Sequence, residues 1–472
     1  MLSQLPSISI IIVNYNGKHL LDDCLKSVFK LSYPKNKLEI ILVDNASTDG
    51  SSQYVTNEHS SVKVLPLETN TGFTGGNNAG IKQATGEYIV LLNNDTVVTK
   101  NWLKELVMAA KPEQVGIVSS KLLLDVPFVE LSLSSSLAQY SEFTNSTDFS
   151  PRGALIENIT AETNEASDLI WYECGFTEPV EMNGVILRWI TAPAKILLPI
   201  TAAQNQFHLT LHGYPTNQQL HTVVTAKVGD KNIFNRTLQA NEVVQEQIFI
   251  KSSTIKNKLS LVQNAGNELL HNGYGKDRGN ITRIAEKKVL EHYEKDSPYF
   301  QQTRAVSAAC GAACLIKRAV IDQIGELDDR YFMYYEDLEF SVRAWRAGWN
   351  SVYAPKAIVY HKHRATTGKI SSSFFITMTE KNHLFLVLTH FPADTALREL
   401  MLFFIRVGVT VLKQQVFRFR KWELYQEYCQ KSRGRIEAAF ALNKHFFELI
   451  RNRFWWNSHS TRSFSELEKQ LY

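Results

Sequence analysis

Two short stretches decide the fold: ISIIIVNYNG at residues 8–17 and EIILVDNASTDGS at residues 39–51. In each, an apolar run ends abruptly in small polar residues. Ile8 to Val13 leads into Asn14-Tyr15-Asn16-Gly17, and Ile40 to Val43 leads into Asp44-Asn45-Ala46-Ser47-Thr48-Asp49-Gly50. A strand that is nearly all apolar, rather than alternately so, is covered on both faces, as inside a parallel sheet. His19 to Lys30 reads as the helix between the two strands. Downstream come a second helix, a short strand at Val62 to Pro66, a glycine-rich turn, a third helix and the strand Tyr88 to Leu92. Strands alternating with helices at this spacing predict an α/β domain built from β-α-β units.

Further along the chain the pattern changes. Ser, Thr and Asn crowd between Leu131 and Ser150, which reads as a linker. After it come short β-like runs such as Val185 to Ile190, Phe207 to Leu211, Thr222 to Val228 and Gln247 to Lys251, separated by turns such as Gly213-Tyr214-Pro215. Their even spacing predicts an antiparallel sandwich. Mixed α/β patterning resumes near Ile284, so the sandwich is inserted into the α/β domain. The expected organisation is an α/β domain over residues 1–135 and 267–395, split by an all-β sandwich at 150–266 and followed by a helical segment at 396–472.

The 472 residues are 44% hydrophobic, 21% charged and 11% aromatic, a globular composition that excludes disorder and collagen-like chains. The net charge of +4 is too small for wholesale nucleic-acid binding. It is unevenly spread, with 14 basic against 7 acidic side chains from Arg398 to Tyr472. Leu400, Phe403, Phe404, Val407, Val411 and Leu412, near Lys413, Arg418, Arg420 and Lys421, fit either an anionic membrane surface or packing onto the α/β domain. Five cysteines, an odd number, fit a reducing compartment. Met1 to Pro6 lacks a basic signal-peptide start, and no run reaches about 18 apolar residues. A cytoplasmic protein, peripheral at most on the inner face of the plasma membrane, is expected.

The polar clusters lie where strands end, and in open α/β sheets ligands bind outside the carboxyl ends of the strands. Asn14, Tyr15, Asn16, Asp44, Asn45, Ser47 and Asp49 form the first two clusters, where an Asp can accept from a ribose hydroxyl or a pyrimidine imide N–H. Plain turn chemistry explains the same residue types. The third cluster, Asn70-Thr71-Gly72-Phe73-Thr74-Gly75-Gly76-Asn77-Asn78-Ala79-Gly80, leads into a helix whose N-terminus suits a diphosphate. It is not a dinucleotide signature, since its glycine spacing differs and it follows the third strand. In Leu92-Asn93-Asn94-Asp95, a carboxylate at a strand end can hold Mg²⁺ or Mn²⁺ together with phosphate oxygens. His361, closing the strand Ala357 to Tyr360, is a second candidate ligand. In Tyr331-Phe332-Met333-Tyr334-Tyr335-Glu336-Asp337, carboxylates at the head of an amphipathic helix can supply a general base. Cys310 and Cys314 have no second pair to complete a zinc site and read as packing.

Taken in order, the phrases IIVNYNG, VDNASTDGS, TGFTGGNNAG, LLNNDT, NGYGKDRG, ACGAACLIKR, GELDDRYFMYYEDLEFSVRAWRAGW and APKAIVYHKH resemble the GT-A inverting glycosyltransferases of family 2, notably the bacterial rhamnosyltransferase-like branch. The resemblance covers about residues 7–125 and 270–392. It implies a nucleotide-sugar site of Asn14, Tyr15, Asn16, Asp44, Asn45, Ser47, Asp49, Gly76, Asn77, Asn94 and Asp95, with Asn77 near the diphosphate or sugar. It further implies Mn²⁺ or Mg²⁺ on Asp95 and His361, Asp337 as the base and Glu336 as its helper. The partners implied are a dTDP- or UDP-sugar, with rhamnose or another hexose, and a glycan or lipid-linked acceptor of bacterial surface polysaccharide. Two features depart from the family pattern: Asn93-Asn94-Asp95 carries one carboxylate where two would flank a single residue, and the β insert is additional. A non-catalytic carbohydrate-binding protein and a nucleotidyltransferase are the competing readings.

Overall fold

The computed structural model describes residues 5–139, 150–182, 184–216, 220–255, 257–285, 288–362, 372–418, 421–464 and 466–467. The chain divides into two compact units. The first comprises Met1–Asp125, Val262–Gly279 and Ser297–Tyr472, and the second Val126–Leu261 and Asn280–Asp296.

The first unit is built on the predicted sheet. Strands β1 (Ile8–Asn14), β2 (Leu38–Asp44), β3 (Lys63–Pro66) and β4 (Tyr88–Asn93) run parallel in the order β3-β2-β1-β4. The sheet then turns mixed. β4 pairs antiparallel with Ala313–Lys317, which pairs antiparallel with Val115–Leu124, and that strand pairs parallel with Asn350–His361. Because side chains alternate across a strand, β1 feeds both faces. Ile8, Ile10 and Ile12 join Leu21, Leu25 and Val28 of helix α1 (Lys18–Phe29) in one core, while Ile11 joins Ile41, Val43 and Ile81 in another. Ile81 lies on α2 (Gly72–Gln83). That helix can lie close because Gly80 faces β1, where a Cβ would stand 2.5 Å from Ile11 Cγ2. Ile8, Ile10, Ile11 and Ile12 are all at most 1% exposed, and each buried side chain contributes about 1.5–3 kcal/mol.

The second unit is mostly β, with a short helix at Asn164–Asp168, and it begins earlier than its composition suggests. Phe128–Ser135, whose latter part falls in the supposed linker, is a strand that pairs with His221–Val228 and with the long strand Val185–Pro199. The polar Ser residues misled because they sit on its solvent side, while Leu131 and Leu133 are fully buried. Residues 140–149, the rest of that stretch, lie outside the described residues. Val185–Pro199 pairs with Leu155–Glu157 and Val180–Met182 along its first half and with Phe128–Ser135 along its second, so it joins the two groups of strands into one sheet. Phe207, Leu209, Leu211, Val224, Ala226, Ile248 and Ile250 fill the core at alternate positions. Ile284, expected where α/β patterning resumes, lies instead on a hairpin of Asn280–Ala285 with Lys288–Lys295.

The C-terminal helices form no separate domain. Helices α4 (Ser373–His390), α5 (Ala393–Phe417) and α6 (Trp422–His459) share a core with α3 (Glu336–Arg346), in which Leu338, Val342 and Trp345 meet Leu384, Phe385, Phe403, Ala438 and Leu442. The apolar residues expected to act together at a membrane are therefore divided. Phe403 is buried, Leu400, Val407 and Val411 are half-buried, and Phe404 and Leu412 are exposed. Arg420 lies outside the described residues. None of the described helices is long and apolar enough to cross a membrane.

Phe207 anchors the β unit at 1% exposure. Phe207→Ala is expected to destabilise that unit by about 3–5 kcal/mol. Hydrogen-exchange mass spectrometry would show peptides from 204–251 losing protection while peptides from 8–93 keep theirs.

Candidate active site

The carboxyl edge of the parallel strands is a network of asparagines. Asn14, fully buried, donates to Ser51 Oγ at 2.9 Å and Ser47 Oγ at 3.2 Å, and its Oδ1 accepts from Asn94 Nδ2 at 2.7 Å. The residues following three strands are thus tied together. Asn16 adopts φ 52°, in the left-handed region that Asn tolerates, and its Oδ1 accepts from Thr48 N at 2.8 Å. Asp49 accepts from the backbone N–H groups of Lys18 at 2.8 Å and Ser51 at 3.1 Å. Burial pushes its carboxyl up, but these donors win and hold it below its ordinary value. Asp44 is 5% exposed, and Tyr15 stands half in solvent.

Two residues expected at the ligand are engaged by the fold itself. Asn45 donates to Gly72 O at 2.9 Å and Asn70 Oδ1 at 3.0 Å, and accepts from Thr71 N at 2.9 Å, stapling β2 to the glycine-rich turn. Asn77 donates to Phe73 O within its own helix. Gly76 faces Val13, where a Cβ would stand 2.7 Å from Cγ1.

Asp95 and His361 meet where strand Thr96–Val98 pairs with Asn350–His361. Asp95 Oδ1 stands 3.0 Å from His361 Nε2, yet both atoms are buried without a hydrogen-bond partner of sound geometry. His361 Nδ1 lies 2.7 Å from Gln263 Oε1. An amide oxygen only accepts, so Nδ1 donates to it, and in the neutral imidazole Nε2 keeps its lone pair. A carboxylate oxygen and an imidazole lone pair, both buried and facing one another, fit a divalent cation. Among the described residues no third His, Cys, Asp or Glu joins this pair, and hard divalent ions commonly take phosphate oxygens of a bound ligand beside one or two protein groups. His363 lies outside the described residues.

The third part of the site is the loop before α3. Phe332, Tyr334 and Tyr335 have φ of 64°, 67° and 69°, a strained region for aromatic residues. Asn382 on α4, fully buried, lies within donating distance of three carbonyls: Tyr334 at 2.7 Å, and Tyr331 and Met333 at 2.9 Å. Lys381 donates to Arg330 O at 2.7 Å, and burial pulls its ammonium down to about 8. From the other side Thr74 N donates to Phe332 O at 3.1 Å. A Cβ at Gly72, where φ is +73°, would stand 2.4 Å from that same oxygen.

This loop delivers Glu336 and Asp337 to the first turn of α3. Asp337 accepts from Leu338 N at 2.8 Å, Gly311 N at 3.1 Å and Asn267 Nδ2 at 3.2 Å. Asn93 N donates to Ala312 O at 2.8 Å, which sets the Gly311 turn against the end of β4. Both carboxyls are raised above their ordinary values by burial, and Glu336 further by its neighbour's charge. The donors decide which of the pair ionises. Asp337 has three, whereas Glu336 Oε2 is buried with none, so Asp337 carries the charge and Glu336 holds a proton. The Cys310 and Cys314 thiols are pushed up by burial, as packing residues would be.

Ser51, Gln263, Asn267 and Asn382 were not singled out from sequence. Single polar residues between apolar ones carry no spacing signal, and each matters only through a partner 37 to 98 residues away in the chain or through loop carbonyls across the fold.

Polar strand ends, a carboxylate–histidine pair and two buried acids on one unit define a candidate ligand site at the carboxyl edge of an open α/β sheet. Residues 9–125 match the family model described as "Glycosyl transferase family 2", and residues 237–379 match "Glycosyltransferase like family 2". The chain belongs to glycosyltransferase family 2. It is 29% identical over 148 residues to "Glycosyltransferase AglE" of Haloferax volcanii, covering 31% of this chain and 47% of that protein. It is 37% identical over 87 residues to the "N-acetylglucosaminyl-diphospho-decaprenol L-rhamnosyltransferase" of Mycobacterium tuberculosis, covering 18% and 28%. It is 35% identical over 100 residues to "Poly(ribitol-phosphate) beta-N-acetylglucosaminyltransferase TarS" of Staphylococcus aureus, covering 21% and 18%. In each case the matched stretch spans less than half of the relative's own length. A solved structure of GalNAc-T7 with UDP, GalNAc and Mn²⁺ aligns over 94% of this chain and 58% of that one at TM-score 0.44 and 14% identity, too slight a likeness to carry an argument.

Two outcomes follow from this geometry. Asn382→Leu removes the donors of three loop carbonyls and is expected to cost about 2–4 kcal/mol, read as a lowered Tm. Glu336, with its pKa raised on folding, contributes stability that is complete below the unfolded value of about 4.3 and is lost as pH rises through the folded pKa. Glu336→Gln should therefore flatten the decline in urea stability with rising pH and be the more stable form at neutral pH.

Proposed function

We propose that the protein is an inverting glycosyltransferase moving a sugar from a nucleoside diphosphate donor to a hydroxyl of a glycan or lipid-linked acceptor. Asp337 carries this reading, as a buried carboxylate ionised by three donors and set at the sheet edge by a strained loop. It accepts the acceptor's hydroxyl proton as that oxygen bonds to the anomeric carbon. The bond from that carbon to the donor's phosphate oxygen breaks in the same displacement, inverting the centre, and the nucleoside diphosphate leaves with the electron pair. Glu336, protonated, keeps a second negative charge away from the base.

Asp44 and the Asn14, Asn16 and Ser47 network lie where the nucleoside of a donor would bind, with Tyr15 exposed beside them. Asn45, Asn77 and Gly76 act by shaping the turn that faces the diphosphate and sugar. Asn94 orients Asn14, and Asp49 fixes the turn between Lys18 and Ser51. Asp95 and His361 would hold Mn²⁺ or Mg²⁺, which when bound would neutralise charge growing on the leaving diphosphate. Gln263 keeps the imidazole in the ligating tautomer. A dTDP- or UDP-linked rhamnose or other hexose is the donor we favour, through likeness to a rhamnosyltransferase. A lipid-linked acceptor would draw the enzyme to the cytoplasmic face of a membrane. The β unit would bind glycan or position a partner.

The test is nucleoside diphosphate release from a panel of UDP-, dTDP- and GDP-sugars with Mn²⁺ or Mg²⁺. Asp337→Asn should lower release at least about a hundredfold with little change in donor affinity. Asp95→Asn should weaken donor binding only when metal is present. Pyrophosphate as product would instead identify a nucleotidyltransferase, and donor binding without turnover under any acceptor would favour a binding protein.

A further inference from the structure

The outward side of the C-terminal helices has no counterpart in the transfer chemistry. Helix α6 buries Ala438, Leu442 and Leu449 against the unit and turns Phe440, Phe447 and Phe454 to solvent, exposed by 71%, 86% and 68%. Spaced by seven residues, the three rings share one face over two heptads. Lys444 and Arg451 follow the first two rings by four residues, so each cation sits one turn along the same stripe, and both are exposed. Every exposed charged residue between 430 and 459 is basic. The two half-buried carboxylates of that stretch are engaged elsewhere: Glu437 with Arg433 and Thr377, and Glu448 with Arg330 and His445. Helix α5 adds Leu397, Met401, Ile405, Leu412 and Val416, all more than half exposed.

We propose that this face of α6, aided by α5, docks on an anionic lipid bilayer. Aromatic rings interleaved with long cations, lying along a helix rather than at its end, suit the boundary of acyl chains and headgroups. There the rings enter the apolar layer while Lys and Arg reach back to lipid phosphates. A second copy of the chain is the poorer occupant. Laid on itself, the stripe would bring Lys444 and Arg451 near their own kind, its one carboxylate, Glu448, is already paired with Arg330 and His445, and interface cores are depleted in Lys. The proposal stands on surface chemistry alone and is independent of the transferase reading.

Co-sedimentation of the full chain with phosphatidylcholine vesicles, with and without phosphatidylglycerol, tests it. Binding is expected to the anionic vesicles, to be much weaker to the neutral ones and to fall with salt. Lys444→Glu with Arg451→Glu should weaken binding to the anionic vesicles by about tenfold or more. Phe440→Ser, Phe447→Ser and Phe454→Ser together should abolish it, with circular dichroism confirming that the helices persist. Neither set touches the candidate active site, so release of nucleoside diphosphate in detergent should be unchanged. Absence of binding at low salt, or equal binding to both vesicle types, would overturn the proposal. So would a dimer in light scattering that the phenylalanine variant dissolves, which would assign the face to a second copy.

Discussion

The site depends on a backbone that would not hold its own shape. Three aromatic residues within the four positions 332–335 lie in the left-handed region, each at a cost of order 1–3 kcal/mol. That cost must be met by neighbours, and the structure shows which. Asn382 and Lys381 supply donors from α4, and Thr74 supplies another from α2. The loop is therefore the seam where the parallel half of the sheet, through α2, and the C-terminal helices are joined. Its consequence is positional: α3 begins at Glu336, and its first turn is delivered against the Gly311 turn at the end of β4.

The same seam explains how two adjacent carboxyls acquire different states. A helix N-terminus favours negative charge by up to about 2 kcal/mol when partly buried, while burial disfavours it more strongly. If burial acted alone, both would be neutral. Three donors converge on Asp337 and none on Glu336 Oε2, so the local hydrogen bonds decide the distribution of a single charge. At the other end of the site the logic is reversed. Asp95 and His361 face each other at 3.0 Å without a hydrogen bond of sound geometry, a buried arrangement that a cation bound by both would satisfy.

Much of this was legible in the sequence. The apolar runs at 8–13 and 40–43 named the parallel sheet because a strand covered on both faces leaves no other pattern, and the polar residues after them fall at its carboxyl edge. What escaped had physical reasons. The strand Phe128–Ser135 looked like a linker because half of its residues are solvent-facing Ser and Glu, and alternation was hidden within a polar stretch. Asn45 looked like a ligand residue, yet its amide is spent on the turn at 70–72. Asn382 was invisible because an asparagine inside an apolar helix shows its purpose only when the loop it clamps lies beside it. The C-terminal helices read as a tail because their charge was counted along the chain, whereas their faces separate around the helix axis.

That separation gives the C-terminal helices two roles at once. The inward side of α4 carries the clamp, and Glu380, immediately before it, is 13% exposed and pairs with Arg406 of α5 at 3.1 Å and Arg435 of α6 at 2.9 Å. An ion network this sheltered loses more when one partner is removed than an exposed pair does, because the remaining charges stay partly buried. Close packing enforces the same registry: a Cβ at Gly434 would stand 2.7 Å from the Ser373 carbonyl, so α6 can approach α4 only through a glycine. The outer apolar faces of α5 and α6 are thus mounted on helices whose inner faces are locked to the element that shapes the loop before α3. Whatever covers those outer faces engages a rigid part of the enzyme rather than a loose appendage.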